Sequence, residues 1–209
     1  MINNKILTIL FLIFLSCENA TEKQIEVVPV RIDSTRLNIE KQSENSNLIS
    51  FLENPIDLQK FKENKNRNVT TGVTNGTEFY FNPTIKDSIF YVYYYPADNF
   101  DNTREIDQVV VFKHGKNKHN YEDETEILIE LRIFNKDSDL ENANLIGLSK
   151  TKLESEFGTN YLTFDDGIAY SYKDKILILK LENSIVNSYR YIKLNTEKID
   201  NDLIGQIIK

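Results

Sequence analysis

The sequence predicts an α+β domain, in which antiparallel β-meanders carry short helices packed on one face. Short runs of strand-forming residues, separated by turn residues, occupy most of the chain after residue 68. Few of the connections between them are long enough to hold a crossover helix. A helix-then-meander order occurs twice, beginning near residues 48 and 149, and this is the pattern that an internal duplication would leave.

The first helical pattern spans residues 48–61, where apolar residues recur at helical spacing on both sides of Pro55. Because proline breaks or restarts a helix, we expect one helix or two short ones. Strand-like runs at 69–74 and 77–81 then flank an Asn-Gly pair at 75–76, which is typical of a type I′ hairpin turn. These two runs are therefore predicted to pair with each other.

Three further strands are predicted at residues 89–95, 106–113 and 126–134, the first of them closed by Pro96. In the last strand charged residues alternate with aliphatic ones, so one face is expected to be buried and the other mostly wet. The residues assigned to the buried face are Ile127, Ile129, Leu131 and Ile133, and those assigned to the other face are Glu126, Leu128, Glu130 and Arg132.

The second helical pattern begins after Gly147, with Ser149 or Thr151 as its N-cap and Gly158 as its stop. Tight turns separate the strands that follow, which favours an antiparallel meander. Those strands are predicted at residues 161–164, 168–172, 176–181 and 188–194.

The first 17 residues differ in composition from the rest of the chain. Lys5 precedes an uncharged, mostly apolar run at residues 6–15, which is too short for a membrane-spanning helix of about 20 residues. The run leads into Phe-Leu-Ser-Cys at 14–17, which resembles the lipobox of bacterial lipoproteins, and Cys17 is the only cysteine in the chain. This resemblance implies a signal peptide at residues 1–16 that is cleaved, and a lipid anchor, such as palmitate, on Cys17.

Residues 18–47 are polar and poor in aromatic residues, so we expect 17–47 to be the lipidated cysteine with a flexible tether. A single α+β domain is then predicted at residues 48–209. Within the tether, residues 25–32 are largely apolar, and Pro29 would restrict any strand formed there to a sheet edge. The anchor implies attachment to a membrane of the cell envelope, with the outer membrane favoured over the inner one.

The charge of the chain limits the partners that it can bind. Lys5 is the only charged residue among residues 1–16, so removing them changes the formal net charge from −7 to −8. Nucleic acid binding requires a basic surface, so this acidic balance argues against a nucleic-acid partner. Solubility explains it most simply, and a basic protein partner in the envelope is the alternative. The oligomeric state stays open.

A short motif adds a suggestion about fold and function. The segment Gly147-Leu148-Ser149, followed by Leu153 and by Phe157-Gly158, resembles the small outer-membrane lipoproteins of the SmpA/OmlA kind. Those lipoproteins share their helix-and-sheet architecture with β-lactamase inhibitor proteins. The resemblance implies the same architecture here and a protein-binding module that is not an enzyme.

Catalytic motifs are absent from the sequence. It contains no Gly-Xaa-Ser-Xaa-Gly, no glycine-rich phosphate loop and no His-Glu-Xaa-Xaa-His, and lipidation would remove Cys17 from catalysis. A pair of carboxylates remains open, but sequence alone does not locate it among 32 acidic residues. We therefore expect no catalytic residues, no cofactor and no bound metal.

Both histidines lie in one charged loop, which suggests a metal site as an alternative. His114 and His119, together with Glu122 or Asp123, are a ligand set that suits zinc. Three lysines at 113–118 would repel a metal ion, however, so a solvated hairpin tip with opposite charges explains the pattern more simply.

Tyr91, Tyr93 and Tyr95 fall on one side of a predicted strand and form a row of aromatic rings. Tyrosine suits ligand stacking and protein interfaces, so the row could bind a glycan or a peptide. The alternative is that the row is buried under a helix, since strands favour tyrosine in any case.

Three functions follow from these observations. The leading hypothesis is a non-catalytic envelope lipoprotein whose α+β domain binds another protein. The second is a lipoprotein that binds carbohydrate or a small ligand through the tyrosine row, and the third is a carboxylate-based hydrolase. A flat apolar patch would favour the first, an exposed tyrosine row the second, and a deep pocket with two close carboxylates the third.

Overall fold

The computed structural model describes residues 45–65, 70–95, 105–121 and 125–208. Its α-helices are α1 (Ser46–Glu53), α2 (Leu58–Asn64), α3 (Lys150–Phe157) and α4 (Asn201–Ile208), with a 3₁₀ helix at Ser138–Ala143. Its strands are β1 (Thr70–Thr74), β2 (Ser88–Tyr95), β3 (Asp107–His114), β4 (Ile127–Ile133), β5 (Leu162–Phe164), β6 (Gly167–Tyr172), β7 (Lys175–Glu182) and β8 (Ile185–Lys193). The predicted signal peptide, Cys17 and the apolar run at 25–32 lie outside the described residues.

All eight strands form one antiparallel sheet in the order β1-β2-β3-β4-β8-β7-β6-β5. This confirms the predicted α+β class. Two four-stranded meanders meet where β4 pairs with β8, so the sheet is continuous through the middle of the domain. The helix-then-meander order is present in both halves, but it does not confirm a duplication.

Local capping explains where the helices begin and end. The side chain of Asn45 accepts hydrogen bonds from the first turn of α1, and Asp57 accepts one from the first turn of α2. The segment therefore forms two short helices, of which the first ends before Pro55 and the second begins after it. Ser149 caps α3, and Gly158 ends it with a φ angle of 84°. None of the described helices is long and apolar enough to cross a membrane.

Apolar side chains are buried on both faces of the sheet. The larger cluster lies under α1, α2 and α3, which contribute Leu52, Phe61 and Leu153 among others. On the opposite face, Ile204 and Ile207 of α4 pack against β6, β7 and β8. The sequence patterns did not predict α4, and it covers the face that was expected to carry no helix.

The predicted hairpin around residues 75–76 is wrong. Gly76 has a φ angle of 79°, but Asn75 does not have the positive φ that a type I′ turn requires. Strand β1 pairs with β2 instead, and residues 77–81 form no strand. Phe79 and Phe81 pack against phenylalanines of β2 and β3, so this segment covers the sheet face and does not extend the sheet.

The predicted wet face of β4 is also wrong. The register between β3 and β4 shifts at Val110, where Ile129 of β4 has no partner and forms a bulge. Ile129 joins the apolar cluster on the α4 face, whereas Leu131 lies on the face with α1–α3. Glu130 is only 1% exposed, and the side chain of Glu126 is equally buried.

Candidate functional site

Strand β2 places Tyr91, Tyr93 and Tyr95 on the face that carries α1–α3, on one side of the strand as the alternation predicts. Tyr93 and Tyr95 are each 1% exposed. The ring of Phe61 in α2 packs edge-on against Tyr95, with ring centroids 4.9 Å apart. The tyrosine row therefore lies beneath α2, and only Tyr91 is partly accessible.

Polar groups meet the buried ends of these tyrosines. The hydroxyl of Tyr93 donates to Glu126 Oε2 at 3.3 Å, and the hydroxyls of Tyr95 and Tyr121 are hydrogen-bonded at 3.4 Å. Burial, reinforced by the negative charge of Glu126, raises the pKa of Tyr93 well above its ordinary value. Its hydroxyl thus stays protonated and remains a hydrogen-bond donor.

Two buried lysines hold the carboxylate of Glu126. Lys62 of α2 forms an ion pair with Glu126 Oε1, and Lys113 Nζ lies 3.6 Å from Glu126 Oε2. Gln59 Nε2 adds a hydrogen bond of 2.9 Å to Oε1. The three charged side chains are at most 2% exposed, and we call them the lysine–glutamate cluster. Removing an ion from water costs several kcal/mol, so each charge depends on these contacts.

The same lysines attach the loop after β3 to the tyrosine row. Lys62 donates to the carbonyl oxygen of Tyr121 and lies 4.4 Å from the centre of its ring, while Lys113 donates to the carbonyl oxygen of Asn120. Lys113 also lies 5.2 Å from the ring centre of Tyr91, a favourable cation–π distance. One set of contacts therefore links α2, β2, β3 and this loop.

The histidines of this loop have separate surroundings. His119 Nδ1 is hydrogen-bonded to the hydroxyl of Tyr91 at 2.8 Å, and the ring of His114 packs against Phe112. The other two ligands of the metal alternative, Glu122 and Asp123, lie outside the described residues. Within the described ranges, no group of three or more His, Cys, Asp or Glu residues could hold a metal ion.

A groove opens beside the lysine–glutamate cluster, where two strands of the sheet diverge. The ladder between β4 and β8 begins only at Glu130, opposite Ile192. Of the strands that the structure describes, only β3 pairs with the part of β4 that precedes Glu130, and only β7 pairs with the end of β8 at Lys193. A space of about 560 Å³ lies between the diverging strands and the connection from α1 to α2. We call it the β4–β8 groove.

The lining of the β4–β8 groove is chemically mixed. Glu53, Asp57 and Glu126 contribute carboxylates, and Lys175 and Lys193 contribute ammonium groups. The remaining side chains are polar or apolar, namely Asn54, Pro55, Ile56, Leu58, Gln59, Ile127, Leu128 and Tyr191. Such a lining can bind a ligand that carries both charged and apolar groups.

The charged groups of the groove are already held by neighbours. Lys175 Nζ lies 3.1 Å from Glu53 Oε2 and 2.7 Å from Asp174 Oδ1. Hydrogen bonds from Lys175 and Lys173 lower the pKa of Glu53, so this carboxyl group stays ionised at neutral pH. Glu53 is thus suited to binding a cation and unsuited to donating a proton.

A general acid for hydrolysis needs a carboxyl group whose pKa is raised toward neutrality. Among the described residues, burial raises the pKa of Asp107 to about 6. Asp107 does not line the groove, and it accepts hydrogen bonds from the backbone amides of Phe134 and Asn135. The carboxylate at the groove wall, Glu126, is bound by Lys62 and Gln59. The geometry therefore favours binding over hydrolysis.

The chain matches no protein-family model, no curated protein and no solved structure in the comparisons made. The interpretation of the groove therefore depends on its own residues. The sequence patterns placed the tyrosine row correctly on one side of a strand, but they missed the cluster and the groove. The one available signal was Glu126 at the start of the predicted strand at residues 126–134, and it was assigned to the face expected to be wet.

Proposed function

We propose that this protein is a membrane-anchored lipoprotein of the cell envelope whose α+β domain is a non-catalytic module that binds another protein. The anchor is inferred from the lipobox-like sequence at Cys17. The binding role is inferred from the β4–β8 groove, which supports it by its position, size and lining. We further propose that the bound element is an extended peptide segment of the partner.

The divergence of β4 and β8 is the observation that carries this proposal. Among the described residues, none pairs with β4 before Glu130 on the β8 side, and an extended peptide can hydrogen-bond to such an open strand edge. The volume of about 560 Å³ lies in the range of small-ligand sites, about 300 to 1,000 Å³, so it accommodates a few residues but not a folded domain. Leu128 and Ile56 offer apolar contacts within the groove.

A non-catalytic role agrees with the contacts that the buried carboxylate of Glu126 makes. Glu126 accepts hydrogen bonds from Gln59 and Tyr93 and forms ion pairs with two lysines. Both oxygens of this carboxylate are therefore engaged by side chains of the protein itself. The cluster is therefore better suited to holding the groove wall in place than to acid–base chemistry.

Site-specific photocrosslinking in cells tests the binding proposal. Asn54 is exposed and lines the groove, and p-benzoylphenylalanine introduced there should form a discrete adduct with one partner protein. Lys152, exposed on α3 and outside the groove lining, is the matched control position and should form no such adduct. Equal adducts from both positions, or none from Asn54, would contradict the proposal.

Peptide binding then localises the contact. The peptide recovered from the adduct should bind the purified domain, and Asn54→Trp should weaken that binding about tenfold because a large ring occupies the groove. The replacement Lys152→Trp adds the same ring elsewhere and should leave binding unchanged. A peptide that binds Asn54→Trp as well as wild type would show that the groove is not its site.

The anchor has a separate test. Because the thiol of Cys17 is the lipid acceptor in the proposed scheme, Cys17→Ser should abolish incorporation of labelled fatty acid and leave an uncleaved precursor. Fatty-acid labelling and the mobility of the protein on a gel measure both effects. Unchanged labelling of Cys17→Ser would rule out the anchor and leave the groove proposal standing.

A further inference from the structure

A second carboxylate, on the sheet face opposite the tyrosine row, holds two arginines. Arg132 of β4 and Arg190 of β8 are direct neighbours across the two strands. Arg190 donates from Nε to Glu130 Oε1 at 2.6 Å and from Nη2 to Oε2 at 3.1 Å, and Arg132 donates to Oε1 through its Nε. The side chain of Glu130 is 1% exposed, so this carboxylate anchors both guanidinium groups from within the protein.

The outer ends of the two guanidinium groups remain available. Neither Nη atom of Arg132, nor Nη1 of Arg190, forms a hydrogen bond or ion pair with a described residue. The two side chains are 33% and 26% exposed, respectively. Both guanidinium groups share the carboxylate of Glu130, and the carboxylate of Glu78 also lies within the field of Arg132.

The field of Arg132 extends beyond Glu130. The pKa of Glu78 is lowered, first by a hydrogen bond from Thr74 and its own backbone contact, and further by the positive charge of Arg132. Glu78 is therefore a second carboxylate near Arg132, in addition to Glu130.

Further hydrogen-bonding side chains lie in line with these arginines. The strand register places Tyr94 of β2 and Gln108 of β3 in the same row, so four adjacent strands carry Tyr, Gln, Arg and Arg. All four side chains are partly exposed. Adjacent strands lie about 4.8 Å apart, so the row extends over about 14 Å. This length suits an extended ligand.

We infer that Arg132 and Arg190, which we call the arginine pair, bind carboxylate side chains of an acidic segment in a protein partner. Guanidinium groups match carboxylates in charge and geometry, and Glu130 already occupies their inner edges in that way. The chain as a whole is acidic, so the complementarity to an acidic segment is confined to this row. The inference depends on the proposed function only in taking the partner to be a protein.

Hexaglutamate labelled with fluorescein is the probe, and the full-length protein in detergent is the receptor. Fluorescence anisotropy at low salt should show saturable binding of hexaglutamate and none of hexaglutamine. Arg132→Gln should weaken hexaglutamate binding about tenfold, as loss of charge-assisted hydrogen bonds does. Lys180→Gln removes one exposed cation that pairs with Asp166 and should change affinity less than about twofold.

Arg132→Lys separates geometry from charge, and it serves also if Arg132→Gln fails to fold by circular dichroism. It keeps the positive charge but loses the planar fork, so we expect a clear loss of hexaglutamate binding. Binding equal to wild type in Arg132→Lys, or equal losses in Arg132→Gln and Lys180→Gln, would overturn the inference. Inorganic phosphate that competes better than glutamate would overturn the assignment to an acidic peptide. Photocrosslinks from Asn54 are independent of all these outcomes, so the groove proposal and this one fail separately.

Discussion

Glu126 and Glu130 lie four residues apart in sequence, yet they build two different sites on opposite faces of one sheet. Each carboxylate is buried, and each is shared between two cations. In the lysine–glutamate cluster the cations are at most 2% exposed, whereas in the arginine pair they are 33% and 26% exposed. The two sites therefore differ in the exposure of their cations and not in that of their carboxylates. The lysines form a structural contact inside the protein, whereas the arginines present charge at the surface.

A single extra residue produces this separation. In a regular strand, residues 126, 128 and 130 would lie on the same face. The bulge at Ile129 reverses the alternation, so that Leu128 faces the helices and Glu130 faces away from them. The two charged sites therefore follow from one irregularity in the pairing of β3 with β4.

The largest effect is expected at the sealed site. Glu126→Gln leaves Lys62 and Lys113 without the carboxylate that they share, and this should lower the free energy of unfolding by about 3 to 5 kcal/mol. Urea denaturation at neutral pH measures it. Glu182→Gln changes an exposed carboxylate and should have an effect below about 0.5 kcal/mol. A loss below about 1 kcal/mol at Glu126 would show that the cluster does not stabilise the domain.

Tyr93 tests the packing above the same cluster. Tyr93→Ser should cost about 3 kcal/mol because it leaves a cavity beneath α2 and removes a donor to Glu126. Tyr93→Phe keeps the ring and should cost only about 1 kcal/mol, the contribution of one hydrogen bond. Thermal and urea unfolding of both variants distinguish the two contributions. An unchanged stability of Tyr93→Ser would mean that the tyrosine row is accessible to solvent. The hypothesis that the tyrosines bind a ligand would then have to be considered again.

Asp107 is a third buried carboxylate, and unlike Glu126 and Glu130 it is bound by amide groups and not by cations. Burial raises its pKa from 3.8 to about 6, against the opposing effect of hydrogen bonds from Phe134 and Asn135. A carboxyl group whose folded-state pKa is raised destabilises the fold when it ionises, so stability should fall as pH rises from about 4 through about 6. The shift corresponds to at most about 3 kcal/mol.

The pH dependence is measured as a difference between two proteins. Urea denaturation at a series of pH values should show Asp107→Asn gaining stability relative to wild type across this interval. Asp165→Asn, which changes an exposed carboxyl group, is the control and should track wild type. A constant difference between Asp107→Asn and wild type would mean that Asp107 titrates normally.

The smallest effect is expected at the open site. Glu130→Gln should cost about 1 to 2 kcal/mol, because water can hydrate the outer ends of the arginine pair once their carboxylate is neutral. The same urea denaturation applies, with Glu126→Gln as the direct comparison. Equal losses from the two replacements would remove the distinction between a sealed and an open site.

Several elements could be predicted from sequence because their determinants are local. The cap Ser149 and the stop Gly158 act within α3, and Pro55 divides the first helical segment through its own ring. The strands β6, β7 and β8 are separated by turns of a few residues, so their pairing needs no distant partner. The candidate site was harder to predict from sequence, because the alternation of residues along β2 predicts only which side of the strand carries the tyrosines.

Local sequence patterns are enough to predict the α+β class, most strand positions, the ends of α3 and the lipobox-like segment that ends at Cys17. The pairing of β1 with β2, the pairing of β4 with β8 and the bulge at Ile129 follow from the assembled sheet and could not be predicted in this way. Caps and turns depend on interactions within a few residues, whereas strand register depends on partners that are distant along the chain. The same register sets which charges are sealed and which face solvent, so the candidate sites emerge only when the sheet is assembled.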